Sequence, residues 1–213
     1  LGETGKKTGF WVEEFAAPYY TLLDKDVEII VATPKGGKAP IDPSSDTEDA
    51  STEDTKRFHN DAKAQDLINN THKLAEMNPT DFDAVFYPGG HGPLWDLAND
   101  EHSITLIETF NKLEKPISFV CHAPAALKYV KGKNGESIVK GKKVTGFTNS
   151  EEKAVDLVDV VPFLVEDMLQ ENGGQYSKKE DWAEYVVKDG NLITGQNPAS
   201  SKLVAETLYN LLK

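Results

Sequence analysis

The chain has 213 residues, the size of one α/β domain, and no apolar run approaches the roughly 20 residues that a membrane-spanning helix requires. Its formal charge of −12 disfavours partners such as nucleic acids and anionic membranes, because an acidic surface repels both. The single cysteine excludes an intrachain disulfide and, with no secretory signal at the start of the chain, favours a cytoplasmic protein.

The first half of the chain alternates between helical and strand-like patterns. Apolar side chains recur at helical spacing over residues 9–24, which predicts an amphipathic helix. Val27–Thr33 is a continuous apolar run, typical of a buried parallel strand. Residues 35–57 are polar and rich in Gly, Pro and Ser, and predict a long loop or insertion. A helix over 60–76 and a second buried strand at Asp83–Tyr87 follow.

The second half continues the alternation. A helix is predicted over 101–114, and a third strand, Ile117–Val120, runs directly into Cys121. The remaining predicted elements are a helix over 123–130, a polar hairpin over 131–143, a strand over 144–148, a helix over 160–171, a hairpin over 185–194 and a closing helix. The pattern predicts an α/β fold, with one mostly parallel sheet covered by helices on both faces, in a single domain over 1–213.

Cys121 and His122 lie where a predicted strand ends and a helix begins. Ligands of open α/β sheets bind outside the carboxyl ends of the strands. A thiol there faces a helix N-terminus, so we expect a lowered thiol pKa and a nucleophilic role. The alternative interpretation is a buried structural cysteine, a common fate of a lone Cys.

A glycine-rich loop, Pro88–Gly92, follows the neighbouring strand. Gly89 and Gly90 predict a backbone that approaches a ligand closely and supplies an N–H to an oxyanion. His91 and His122 are candidates for acid–base work. The other three histidines lie in polar stretches and are predicted to be solvated: His59, His72 and His102. No closed metal-ligand spacing is present, so no metal site is expected.

Two pairs of adjacent acids, Glu13–Glu14 and Glu151–Glu152, remain open in function. Exposure to solvent is the usual fate of glutamate, and periodicity places Glu14 nearly opposite the apolar stripe of its helix. A carboxylate beside a cysteine would instead serve as a proton shuttle for a carbonyl substrate. Periodicity alone does not decide between the two.

Six motifs together resemble the DJ-1/PfpI superfamily, and within it the Hsp31-like branch, which includes glutathione-independent glyoxalases. They are GFWVEEFAAPYY, FYPGGHGPLWDL, FVCHAPAAL, VTGFTNSEE, VVPFLVEDML and LITGQNPASS. The resemblance implies a flavodoxin-like three-layer sandwich and a homodimer. The first strand of that fold would precede Leu1, so we expect a further N-terminal segment, in line with the missing initiator Met.

The resemblance also implies a mechanism, the conversion of methylglyoxal to D-lactate through a cysteine hemithioacetal, without glutathione, metal or other cofactor. Carried over residue by residue, the resemblance places the nucleophile at Cys121 and its neighbouring histidine at His122. It places the acid of the first helix at Glu14 and the third acid, which orients the histidine, at Glu152. The oxyanion or substrate-binding residues fall at Gly89, Gly90 and His91. The oxyanion donors would be the N–H groups of Gly90 and His122. Glu13 ranks second to Glu14 as the first acid, and Glu151 is the alternative to Glu152.

Other functions compete with this one. Cys121 and His122 also suit an amidase or peptidase, provided that the imidazole reaches the sulfur and an acid orients it. Deglycation of glycated amines is chemically similar to the glyoxalase reaction, and the sequence does not separate the two activities. From other classes, a holding chaperone would require a large exposed apolar patch. A redox sensor would require an accessible, reactive Cys121.

Overall fold

The computed structural model describes all residues, 1–213. The helices are α1 (Val12–Leu23), α2 (Glu53–Asn60), α3 (Ala62–Asn69), α4 (Glu101–Lys112), α5 (Asn149–Ala154), α6 (Val165–Glu171) and α7 (Ser201–Leu211). The strands are β1 (Ala32–Thr33), β2 (His72–Lys73), β3 (Val85–Tyr87), β4 (Ile117–Val120), β5 (Lys143–Val144), β6 (Gln175–Tyr176), β7 (Val186–Asp189) and β8 (Leu192–Gly195). The expected α/β class is therefore confirmed, and no helix has the length and apolarity to cross a membrane.

A four-stranded sheet in the order β3-β4-β8-β7 forms the centre of the molecule. The strands β3, β4 and β8 are parallel, and β7 runs antiparallel to β8 as the predicted hairpin requires. Side chains alternate across β4, which is buried along its whole length. Ile117 and Phe119 pack into the core beneath α4, whereas Val120 packs with α7 on the other side. Helices thus cover both faces of this sheet.

The remaining strands form two separate pairs, β1 with β2 and β5 with β6, so the expected single sheet is divided. The predicted strand Val27–Thr33 is shorter than expected. Only Ala32 and Thr33 pair with a neighbouring strand, because the one backbone hydrogen bond of residues 27–30, from the Val27 N–H, goes to Leu22 at the end of α1 rather than to a strand. Ile30 is consequently 44% exposed, although its run of apolar residues predicts burial.

Several predicted boundaries were also wrong. The segment 35–57 is not all loop, since α2 begins at Glu53 behind a capping box of Thr52 and Thr55. The helix predicted over 60–76 is confirmed only over Ala62–Asn69, where the Asp61 side chain caps α3, and is followed by β2 and a 3-10 helix at Leu74–Glu76. Three other predicted elements are shorter than expected. The helix over 123–130 is a 3-10 helix at Ala123–Leu127, and the hairpin over 131–143 is a single bridge between Lys131 and Ser137. The strand over 144–148 is reduced to Lys143–Val144. The helix over 160–171 begins at Val165.

The polar segment 35–57 packs against the start of α1. Trp11 offers no capping side chain there, and the hydroxyl of Ser45 accepts a hydrogen bond from the Val12 N–H (3.1 Å) instead. The Thr52 hydroxyl donates to Glu13 Oε2 from the same segment. The segment therefore builds part of the surface around the functional acids of α1.

Candidate active site

Cys121 is the first residue after β4, and its backbone has the left-handed value of φ = +60°. This conformation costs a non-glycine residue about 1–2 kcal/mol, so the surroundings have to hold it. The Cys121 N–H donates to the Gly195 carbonyl (3.0 Å), and the Phe147 N–H donates to the Cys121 carbonyl (2.9 Å). Backbone hydrogen bonds on both sides thus fix the sharp turn, and the side chain, 3% exposed, lies at the carboxyl end of the parallel strand.

His122 connects the thiol to an acid. Its Nδ1 lies 3.2 Å from Cys121 Sγ, and its Nε2 lies 2.6 Å from Glu152 Oε2. Because the ionised carboxylate accepts a hydrogen bond from the Nε2–H, Nδ1 is the free acceptor that faces the thiol. Burial, reinforced by the neighbouring His91, lowers the pKa of His122 to about 4, so the ring is neutral at neutral pH. The predicted roles of His122 and Glu152 gain a geometric basis here.

Glu152 is an ionised carboxylate shared by two histidines. His91 Nε2 lies 2.8 Å from its Oε1, so each carboxylate oxygen has one imidazole partner. Burial raises the pKa of Glu152, but hydrogen bonds from His122 and His91 prevail and lower it to about 2. The two rings, His91 and His122, lie 4.0 Å apart between centroids.

The same three residues form a possible metal-binding set. The ligand atoms of His91, His122 and Glu152 lie within 4.8 Å of one another, and two imidazoles with one carboxylate are a ligand set that suits divalent transition metals. Sequence spacing did not reveal this set, since the three residues come from three separate segments of the chain. The expectation of no metal stays a prediction.

Glu14 lies on the other side of the thiol and is completely buried, so the interpretation of this residue as a solvated acid is wrong. Its Oε2 accepts the Gly89 N–H (2.7 Å), and Oε1 is buried without an oxygen or nitrogen partner. Burial raises the pKa of Glu14 to about 8, against hydrogen bonds from Cys121 and Gly89 that lower it. Only glycine suits position 89, because a Cβ there would lie 2.6 Å from Glu14 Oε2 and from the Val120 carbonyl.

The expected lowering of the thiol pKa was wrong. Burial and the adjacent Glu14 raise the pKa of Cys121 above its ordinary value, against a hydrogen bond from the Gly90 N–H that lowers it. The predicted helix dipole is weak because residues 123–127 form one short 3-10 helix. The resting thiol is therefore protonated, and its activation has to be coupled to a base.

The glycine loop brings backbone N–H groups to the sulfur. Gly90 has φ = +88°, and a Cβ there would lie 2.4 Å from the Gly9 carbonyl. The N–H of His122 lies beside Gly89 and donates to no acceptor in the chain. The predicted oxyanion donors, Gly90 and His122, are thus both next to Cys121.

The first acid of each pair, Glu13 or Glu151, makes no hydrogen bond to Cys121 or His122. Glu151 is fully buried and accepts four hydrogen bonds, from the Thr148 and Trp182 N–H groups and from the amides of Gln196 and Asn197. Glu13 accepts from Thr52 and makes no hydrogen bond to Cys121. Glu14 and Glu152 are therefore the two acids that contact the Cys–His pair.

Sequence reasoning missed Gln196, Asn197 and Trp182. Gln196 and Asn197 directly follow β8, and the rule that polar groups at the carboxyl ends of strands form sites would have found them. Trp182 lies in an irregular segment at φ = +65°, and no sequence signal marks it. The prediction of solvated side chains is confirmed for His59, His72 and His102, which are all exposed.

Known proteins share this architecture along nearly the whole chain. The model of the DJ-1/PfpI family matches residues 7–210. Glyoxalase 3 of Candida albicans is 31% identical over 95% of this chain and 89% of its own length. Glutathione-independent glyoxalase HSP31 of Saccharomyces cerevisiae is 28% identical over 98% and 91% of the two chains. The solved structure of the Rapid Encystment Protein 24 KDa of Francisella tularensis superposes with a TM-score of 0.95 at 37% identity, covering 100% and 94%. The chain belongs to the DJ-1/PfpI family.

Proposed function

We propose that this protein is a glutathione-independent glyoxalase that converts methylglyoxal to D-lactate, with Cys121 as the nucleophile. The observation that carries the proposal is the buried Glu14 carboxyl beside the thiol, with its pKa near 8. An ordinary hydrolase needs a nucleophile, a base and an orienting acid. Isomerisation of a 2-oxoaldehyde needs, in addition, a group that moves a proton between two carbons, and Glu14 supplies it.

The first step is addition of the thiol to the aldehyde. His122 Nδ1, at 3.2 Å from the sulfur, takes the thiol proton as the C–S bond forms. The Glu152 carboxylate stabilises the resulting imidazolium and fixes the tautomer. The aldehyde oxygen receives hydrogen bonds from the Gly90 and His122 N–H groups and then the proton from His122, which yields a hemithioacetal.

The second step is the proton transfer between carbons. In its ionised form, Glu14 removes the hydrogen from the former aldehyde carbon, while His122 carries the hydroxyl proton of the former aldehyde oxygen to the ketone oxygen by way of an enediol. Glu14 then returns its proton to the carbon that was the ketone carbon. A base with a pKa near 8 removes a carbon-bound proton more effectively than an ordinary carboxylate. The product is a lactoyl thioester on Cys121.

The last step is hydrolysis. His122, neutral again, removes a proton from water, which attacks the thioester carbonyl and expels the thiolate. The thiolate recovers its proton from His122. One methylglyoxal and one water give one lactic acid, and the enzyme returns to its initial state without a redox partner.

The test is D-lactate formation from methylglyoxal in the absence of glutathione. We expect turnover by the wild type, and a loss of roughly 10²-fold or more in Cys121→Ala and in Glu14→Gln, with folding checked by circular dichroism. Tyr129→Phe, a conservative change of an exposed side chain, is the matched control and retains turnover. No turnover by the folded wild type would sink the proposal.

Amide hydrolysis is a second candidate, favoured by one observation. A residue directly after a nucleophile often points away from it, but His122 reaches the sulfur and Glu152 orients it, as in a Cys-His-acid triad. Amide hydrolysis, unlike the isomerisation of a 2-oxoaldehyde, would not require Glu14 to take up and release a proton. A wild type that cleaves amides, with activity lost in Glu152→Gln but kept in Glu14→Gln, would support this candidate over the first.

A further inference from the structure

A cleft of about 330 Å³ is lined by Glu13, the sequence neighbour of Glu14, but by none of the residues that take part in the proposed reaction. Its lining is mostly apolar and includes two indoles, Trp11 and Trp182. One acidic side chain, Glu13, belongs to the lining, with Thr52 and Asn197 as polar neighbours.

The walls of the cleft come from the elements that hold the catalytic residues. The Trp11 N–H donates to the Gly89 carbonyl (3.1 Å), and Asn197 donates to Glu151, the neighbour of Glu152. The Trp182 ring lies 5.8 Å from the Phe147 ring, which in turn lies 4.2 Å from the His122 ring. A ligand on the Trp182 ring is therefore connected to His122 through two aromatic side chains, Trp182 and Phe147.

One carboxylate oxygen of Glu13 has a hydrogen-bond partner in the chain and the other has none. Oε2 accepts the Thr52 hydroxyl, whereas Oε1 makes no hydrogen bond in the chain and is not sealed from solvent. Burial raises the pKa of Glu13, and the charged groups near it, Asp54 and Lys202, have opposite signs. The apolar cleft thus presents one carboxylate oxygen that is available to a ligand.

Trp182 combines an exposed side chain with an unfavourable backbone conformation. It is 48% exposed and has a left-handed backbone, which the hydrogen bond from its N–H to Glu151 Oε1 (2.8 Å) stabilises. A strained, exposed aromatic residue that buried groups hold in place is typical of a ligand-contacting position. Indole faces with a nearby carboxylate attract ammonium groups through cation–π and ionic interactions.

We propose that this cleft is a subsite for a positively charged substituent on the carbonyl substrate, with Glu13 as the specificity-determining residue. The proposal rests on the proposed function for the reacting carbonyl end, but binding of the cation does not depend on turnover. Carbonyl compounds with anionic substituents are disfavoured at the same place, because Glu13 repels them.

Binding is tested first without chemistry, in Cys121→Ala. Tetramethylammonium chloride is titrated against ¹⁵N-labelled protein, and the indole N–H signals are followed. The chain has three Trp residues, so Trp95, which packs against the main core outside the cleft, is an internal control. We expect saturable shifts of the Trp11 and Trp182 signals, with binding weakened about 5-fold or more by Glu13→Gln and unchanged by Glu114→Gln, at an exposed carboxylate that pairs with Lys133 outside the cleft.

Specificity is tested with two 2-oxoaldehydes of equal length, one ending in trimethylammonium and one in carboxylate. We expect the wild type to prefer the cationic compound in kcat/KM by roughly 10-fold or more, and Glu13→Gln to reduce that ratio several-fold. An equal ratio in the two proteins, or no saturable shift of Trp182, overturns the subsite. Saturable binding without turnover of any aldehyde contradicts the glyoxalase proposal and leaves the cation site standing.

Discussion

The two pairs of adjacent glutamates, Glu13–Glu14 on α1 and Glu151–Glu152 on α5, divide their work in the same way. In each pair the second residue contacts the catalytic Cys–His pair, and the first residue holds or lines the surroundings. Consecutive residues of a helix point about 100° apart, so neighbours in sequence enter different environments. Adjacent acids of a motif are therefore not interchangeable.

The pKa values of Glu14 and Glu152 differ strongly although both side chains are buried. Glu14 receives one backbone N–H and lies beside a thiol, so burial dominates and raises its pKa to about 8. Glu152 accepts from two imidazoles, and these hydrogen bonds lower its pKa to about 2. One carboxyl group is thus suited to exchange a proton at neutral pH and the other to remain ionised, a division of roles that environment alone creates.

The largest effect is expected from comparing Glu152→Gln with Glu151→Gln. Glutamine at 152 places an N–H against a histidine N–H and disturbs the tautomer of His122, so glyoxalase kcat falls roughly 10²–10³-fold. Glutamine at 151 loses an acceptor for one of its four donors, which lowers the free energy of unfolding by about 1–3 kcal/mol and costs much less activity. Steady-state kinetics and urea unfolding of both variants check this, and equal losses of kcat would remove the distinction between the two acids.

A smaller effect is expected from moving Glu14 without changing it. In Gly89→Ala the new methyl group would lie 2.6 Å from Glu14 Oε2 and from the Val120 carbonyl, so the carboxyl and the glycine loop have to shift. We expect kcat to fall roughly 10–100-fold, as misplacement of a catalytic group by about an ångström does. Gly132→Ala, whose nearest contact would be 3.3 Å, is the control. Full activity of Gly89→Ala would show that the position of Glu14 is not critical.

The smallest effect is a difference in pH dependence of stability. The pKa of Glu14 is higher in the folded chain, about 8, than its ordinary 4.5, so folding binds a proton and stability falls as pH rises through this window. His122 and Glu152, with lowered pKa values, act in the opposite direction below about pH 6.5 in both proteins. The free energy of unfolding of Glu14→Gln, relative to that of the wild type, should therefore increase by a few kcal/mol between pH 5 and pH 8. Parallel urea-unfolding profiles over that range would contradict the raised pKa.

Much of the fold was predictable from local patterns, and the failures have identifiable causes. The apolar runs at Ile117–Val120 and Leu192–Gly195 form strands because both are buried between helices and have neighbours on both sides. Val27–Thr33 has the same pattern, but a strand needs a partner, and only its last two residues have one. The helix predicted over 60–76 ends at Asn69, because His72 and Lys73 pair with β1, a long-range contact that helical spacing does not reveal.

The sequence by itself determined that Cys121 and His122 end a buried strand beside a glycine loop, because burial and turn chemistry are encoded within a few residues. Only the tertiary structure decided which glutamate of each pair contacts the Cys–His pair, that the thiol pKa is raised and that Trp182 lines a cleft. Glu14 meets Gly89 across 75 residues of chain, and Glu152 meets His122 across 30. Desolvation and hydrogen bonding depend on such distant neighbours, whereas periodicity gives only the direction of a side chain from its own helix.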